Sequence, residues 1–158
     1  MSTRATPDTN EQSATTPLQQ PVIPHLVVSN GAEAAAFYER AFGARAELML
    51  RPDGKLMHAA LQLPNGGWFY LMEPSAGKSV GQSNVVVHLE VADVDAVWNR
   101  VLACGAQSLL PLADQFWGAR YGMFSDPFGH TWSVATQKRN PSPEEMERAA
   151  RAAISGGL

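Results

Sequence analysis

The chain contains the same strand-like pattern twice, 63 residues apart. Val22–Asn30 reads VIPHLVVSN and Val85–Asp93 reads VVVHLEVAD. Each segment is a mainly apolar run with a histidine in fourth place, His25 or His88, and each precedes a stretch that favours helix. Repetition at a fixed spacing indicates a duplicated structural unit. The sequence therefore predicts two copies of one module.

Helix and turn signals extend the repeat beyond this strand. Asn30 and Asp93 can cap a helix in each copy, and Gly43 and Gly105 can end it, because glycine adopts the left-handed conformation that helix ends require. Three runs rich in β-forming residues, separated by turn residues, follow each helix. The order predicted for each module is strand, helix and three strands, or βαβββ.

These modules define the predicted domain organisation. One module of about 50 residues buries too little surface to be stable alone, whereas two can share a core. We predict an α+β fold in which two tandem βαβββ modules, residues 21–73 and 84–137, form a cupped mixed sheet around a cleft, with the helices outside. Residues 1–20 are predicted to form a disordered tail because they hold few apolar residues. Residues 138–158 are predicted to form a C-terminal helical extension.

Composition excludes several kinds of partner. The net charge of -3 gives no basis for nucleic-acid binding. No apolar run approaches the about 18 residues of a membrane span, so no membrane association is expected. The single cysteine, Cys104, allows no internal disulfide, which is typical of a reducing compartment. We expect a cytoplasmic protein.

Several motifs resemble the vicinal oxygen chelate superfamily, which includes glyoxalase I, bleomycin-resistance proteins, extradiol dioxygenases and fosfomycin-resistance enzymes. The most informative motifs are Asn30–Ala44, His88–Val97 and Asp126–Trp132. Ala113–Gly122 and Ser142–Met146 are similar to the PhnB-like branch. The resemblance covers about residues 22–136 and implies the paired-module fold, but one fold can host many chemistries.

Enzymes of this superfamily usually hold a divalent metal ion in the cleft. The resemblance places its ligands at positions that Ile23, Val86 and Ser133 occupy here. Aliphatic side chains have no lone pair, and a lone serine hydroxyl is a poor ligand for a divalent ion. The resemblance therefore implies that the protein has no metal at the usual place and no other cofactor.

The two histidines of the repeat lie two residues after the usual ligand positions. Strand side chains alternate between faces, so His25 and His88 are expected to point into the shared cleft, with Glu90 beside His88. They could hydrogen-bond a ligand or act as a general base. They could also form a displaced divalent-metal site with Glu90, or merely pack in the cleft wall.

Four further side chains are candidates for ligand binding. His58, on a strand of the first module, is expected on the same side as His25. Trp117 and Tyr121 lie in an aromatic, glycine-hinged segment that would suit stacking on a planar or apolar ligand. Arg120 could pair with a carboxylate or phosphate. The alternative is that the rings are core residues and that Arg120 forms a surface ion pair.

Together these features favour a glyoxalase/bleomycin-resistance-like protein that binds a small organic molecule in the cleft between the modules, without the usual metal. The alternative is an enzyme of the lyase, isomerase or dioxygenase type, which would use a displaced divalent metal or a histidine base. Proteins of this superfamily often dimerise, so the resemblance also implies a homodimer.

Overall fold

The computed structural model describes residues 20–74, 81 and 83–156. None of the helices in this part of the chain is long and apolar enough to cross a membrane. In chain order the elements are β1 (His25–Val27), α1 (Gly31–Phe42), β2 (Arg45–Leu50), β3 (Leu56–Gln62), β4 (Trp68–Met72), β5 (Val86–Glu90), α2 (Val94–Ala103), β6 (Gln107–Asp114), β7 (Ala119–Ser125), β8 (Thr131–Gln137) and α3 (Pro143–Ser155).

The strands form two four-stranded sheets with equivalent orders, β1-β4-β3-β2 and β5-β8-β7-β6. In each sheet the first strand of the module pairs in parallel with the last strand, and the other neighbours are antiparallel. These mixed sheets confirm the α+β fold of two tandem βαβββ modules. The predicted tail, apart from Gln20, and most of the segment between the two predicted modules lie outside the described residues.

The helices begin where the sequence places their caps. The side chain of Asn30 accepts a hydrogen bond from Glu33 N, and that of Asp93 accepts one from Ala96 N. α1 ends at Gly43, whose φ of 68° is the left-handed conformation that a helix end commonly requires. α3, in the predicted C-terminal helical extension, begins with a capping box formed by Ser142 and Glu145, but none of its described side chains is buried.

One apolar core joins the two modules. Tyr38 and Phe42 of α1 lie between the sheets: the ring of Tyr38 is 5.2 Å from that of Phe69 in the first sheet, and the ring of Phe42 is 4.9 Å from that of Trp132 in the second. Trp132 is fully buried. Because aromatic rings bury large apolar areas, this cluster contributes strongly to the packing of one module on the other.

A buried carboxylate, that of Asp126, also links the modules. It lies in the turn between β7 and β8, and its Oδ2 accepts hydrogen bonds from the Tyr38 hydroxyl and from Trp132 Nε1. Its Oδ1 accepts from the backbone N–H groups of Phe128 and His130. Burial, together with the negative charge of Asp126, raises the pKa of Tyr38 well above its usual value, so the hydroxyl keeps the proton that it donates.

The substitution Tyr38→Phe should lower the free energy of unfolding by about 1–2 kcal/mol, because it leaves the buried Asp126 carboxylate with one donor fewer. Urea denaturation followed by tryptophan fluorescence measures this change. The control is Tyr121→Phe, which removes a hydroxyl that makes no hydrogen bond within the described chain and should cost less than about 0.5 kcal/mol. Equal costs for the two variants would contradict the proposed link.

Candidate functional site

The strand register gives each sheet one face covered by a helix and one open face. In the first sheet, buried Leu26 pairs with buried Leu71, whereas His25 pairs with Tyr70 on the opposite face. In β3, Ala60 pairs with Tyr70. His58 lies two residues before Ala60, so its side chain is on the same open face. Positions in β1, β3 and β4 thus bring three polar rings together.

These rings, His25, His58 and Tyr70, form the first cluster. The His25 ring centroid lies 5.7 Å from that of His58 and 5.8 Å from that of Tyr70, and the His58 and Tyr70 centroids are 4.7 Å apart. Burial lowers the pKa of His25, and repulsion by a protonated His58 lowers it further, while a hydrogen bond with the Leu71 backbone acts in the opposite direction. His25 is therefore neutral at neutral pH.

The second cluster lies on the open face of the second sheet around His88. Its Nδ1 lies 2.7 Å from Ser133 Oγ, and its Nε2 lies 2.9 Å from Glu90 Oε1. A carboxylate only accepts, so Nε2 carries a proton and donates it, and in the neutral ring Nδ1 accepts from the Ser133 hydroxyl. Tyr121 stacks on the imidazole with a centroid distance of 6.0 Å. These contacts fix the orientation of His88.

Trp117 lies beside this cluster, with its ring 5.6 Å from that of Tyr121. Trp117 lies in the segment that was predicted to be glycine-hinged. This segment contains the turn of a β-hairpin, because β6 continues to Asp114 and β7 begins at Ala119. Gly118 serves this turn with a φ of 90°, and a Cβ there would lie 2.1 Å from the carbonyl oxygen of Arg139. The glycine is therefore required by close packing rather than by a hinge.

Arg120 does not join the candidate site. It neighbours Tyr121 in β7 and so lies on the helix-covered face, where its Nη2 and Nε are 2.8 and 2.9 Å from the Asp95 carboxylate of α2. Nη1 is 3.4 Å from Asp114. The hydrogen bonds with Arg120 lower the pKa of Asp95, and those with Asp95 raise the pKa of Arg120. This is the surface ion pair of the alternative interpretation, and Arg120 leaves the candidate set.

The two clusters are separate within one chain. No hydrogen bond or ring contact among the described residues joins the group around His25 to the group around His88. The repeat therefore places the two histidines on equivalent faces, as predicted. It does not bring them into direct contact within the described part of one chain.

The usual metal of the superfamily does not fit the residues present. Val86 lies on the open face with no donor atom, and the hydroxyl of Ser133 is engaged by His88. Within the described ranges, no three or more His, Cys, Asp or Glu side chains lie close enough to hold an ion. The displaced set of His25, His88 and Glu90 is likewise divided between the two clusters.

Sequence reasoning did not identify Tyr70, and it treated Ser133 only as an unsuitable metal ligand. Tyr70 lies in WFYLM (Trp68–Met72), where no charged residue or histidine indicates which face of the strand is open. Strand alternation from Trp68 would have placed it on one face with Met72. Its contact with His58 and the Ser133–His88 bond both depend on pairing between distant strands.

Two βαβββ modules, each with one helix-covered and one open sheet face, define a class of protein to which this chain can be assigned. Residues 20–134 match the model of the Glyoxalase/Bleomycin resistance protein/Dioxygenase superfamily. The chain belongs to this superfamily, and the resemblance noted from its motifs is confirmed.

Individual proteins support the same assignment. An uncharacterised protein of Mycobacterium tuberculosis is 44% identical over 137 residues, which cover 80% of this chain and 79% of that protein. Protein PA1353 from Pseudomonas aeruginosa, whose crystal structure is known, has 27% sequence identity to this chain. Its structure is similar to this one with a TM-score of 0.63, and the match covers 75% of this chain and 98% of PA1353. A PhnB protein from Bacillus cereus, described as a putative 3-demethylubiquinone-9 3-methyltransferase, shares the fold at 20% identity, with a TM-score of 0.60 and coverage of 74% and 99%.

The titration of His25 tests the first cluster. We expect its pKa to lie below the ordinary value of about 6.5. His58→Ala should raise it toward that value without reaching it, because burial, the larger cause, remains. NMR chemical shifts of the ring protons against pH measure both values. His88→Ala, in the other cluster, should leave the pKa of His25 unchanged, and the same pKa with and without His58 would refute the contact.

Proposed function

We propose that the protein binds a small organic molecule on the open faces of its two sheets, without the superfamily's usual metal. The observation that carries this proposal is that the two repeat-related histidines both lie on open faces, each beside a tyrosine: His25 with Tyr70, and His88 with Tyr121. Ligand sites typically combine aromatic surface with a few placed polar groups. Membership of a superfamily that includes bleomycin-resistance proteins supports the same function.

The chemistry of the two faces favours a planar ligand that carries a polar group. Tyr70, Tyr121 and Trp117 offer ring surfaces for stacking. A neutral imidazole such as that of His25 has one N–H donor and one acceptor nitrogen, so it can bind a hydroxyl, amide or carbonyl group. Glu90 adds a negative charge beside His88, which disfavours an anionic group at that end of the site.

We further propose that a second copy of the chain completes the site, with the first sheet of one copy facing the second sheet of its partner. Both open faces expose large apolar side chains: Met49 is 57% exposed, Val86 43% and Leu110 41%. Exposed apolar patches of this kind mark interaction surfaces. Such an arrangement would bring a His25 cluster and a His88 cluster to opposite sides of one cleft.

The neutral state of His25 supports an enzyme as the second candidate function. A neutral imidazole within reach of a bound substrate can accept a proton as a general base. This alternative predicts turnover of a bound molecule that is lost in His25→Ala, whereas pure binding predicts that every ligand is recovered unchanged. Chromatography of ligands after incubation with the protein distinguishes the two.

Ligand binding can be tested by thermal shift with a panel of small planar molecules in the presence of EDTA, since a molecule that binds only the folded state raises its stability. We expect at least one ligand, and we expect Tyr121→Ala to weaken its affinity about tenfold or more through the loss of stacking. The matched control is Arg120→Gln, a neighbouring change on the helix-covered face, which should leave affinity unchanged. Equal losses in both variants would argue against an open-face site.

The proposed dimer is tested by two adjacent residues of β2 that point to opposite faces. Met49 lies on the open face with His58, whereas Leu48 pairs with buried Ala59 on the other face. Met49→Glu should convert a dimer to a monomer, because it places a charge in the proposed interface. Leu48→Glu, at a position that is 46% exposed, should not. Sedimentation velocity measures the outcome, and a monomeric wild-type protein would refute the assembly.

A further inference from the structure

We infer that His25 and His58 form a two-imidazole binding site for a transition-metal ion such as Zn²⁺, Cu²⁺ or Ni²⁺. This site lies wholly within the first module. It differs from the place where the superfamily usually holds its metal, which involves both modules. The inference goes beyond the proposed ligand site, because it requires neither an organic ligand nor a second copy of the chain.

Strand pairing places the two imidazoles side by side. His25 is opposite Tyr70 across β1 and β4, and His58 is diagonal to Tyr70 across β4 and β3. The two histidine rings are 5.7 Å apart between centroids and nearly perpendicular, with an interplanar angle of 85°. Both side chains therefore belong to strands held by backbone hydrogen bonds, which limits the cost of orienting them around an ion.

The ring nitrogens are available as ligands. No side chain in the described part of the chain hydrogen-bonds either imidazole, in contrast to His88, whose two nitrogens are engaged by Ser133 and Glu90.

The separation of the rings suits a shared ion. A divalent ion lies about 2.1 Å from an imidazole nitrogen and hence about 3.2 Å from the ring centroid. At a tetrahedral angle two such rings have centroids about 5.2 Å apart. The observed separation of the His25 and His58 centroids is 5.7 Å, which is close to this value.

The donor set selects the class of metal. Imidazole nitrogen suits zinc, copper, nickel and iron, whereas magnesium and calcium require oxygen ligands. No carboxylate or thiolate lies with the two histidines as a third ligand within the described residues. The ion would therefore keep coordination positions for water, and it would bind with the moderate affinity of a two-donor site.

Titration of the full-length protein, purified without a polyhistidine tag, with Zn²⁺ in a calorimeter tests the inference. We expect one ion per chain, with affinity that falls as pH is lowered because protons compete for the nitrogens. His25→Gln and His58→Gln should each weaken binding about tenfold or more, since one of two nitrogen donors is lost. The matched control, His88→Gln on the open face of the other module, should bind as tightly as the wild type.

Cu²⁺ provides an independent signature. Electron paramagnetic resonance of the Cu²⁺-loaded protein should show two equivalent nitrogen ligands, and one in either single variant.

Two results would overturn the inference: absence of saturable Zn²⁺ binding by the wild type, or equal loss in His88→Gln. Far-UV circular dichroism verifies folding, and either of the two variants suffices if the other is unfolded. The titration uses no organic ligand, and the ligand screen contains EDTA, so failure of one leaves the other standing.

Discussion

The carboxylate of Asp126 is the interaction on which the position of one module relative to the other depends. A buried carboxylate is costly unless its oxygens accept hydrogen bonds, and here the donors come from α1 of the first module and from the second module itself. Tyr38 can therefore shift little relative to the β7–β8 turn without leaving that charge unsatisfied. The aromatic core packs around the same point, so the helix-covered faces meet there and both open faces remain free.

The duplicated strand gives equivalent positions but opposite chemistry. Burial, and to a smaller extent charge repulsion from the neighbouring imidazole of His58, lower the pKa of His25 and favour its neutral form. His88 lies beside a carboxylate and a serine hydroxyl that hold both of its nitrogens. One ring is thus free to bind a metal ion or accept a proton, and the other is a fixed surface for stacking with Tyr121. Duplication sets where the histidines point, and their neighbours determine what each can do.

The period of two in the strands and the repeat were enough to predict the two βαβββ modules and the shared face of His25 and His58. These two patterns did not predict features that depend on which residues of neighbouring strands pair. β6 contains Pro111 and two register shifts, so its pairing with β7 and the hairpin turn at Gly118 were not predicted. Arg120 and Tyr121 are adjacent in a strand and cannot share a face, and alternation alone could have excluded one of them. Ser133 bonds His88 only through the parallel pairing of β5 and β8.

If two copies complete the cleft, ligand binding and association become one equilibrium. A molecule that contacts the His25 face of one copy and the His88 face of its partner binds the dimer better than either separated chain. By linkage it must then strengthen dimerisation by the same factor by which dimerisation strengthens its own binding. In that arrangement each side of the cleft would come from a different chain, so a single chain would offer only half of the contacts.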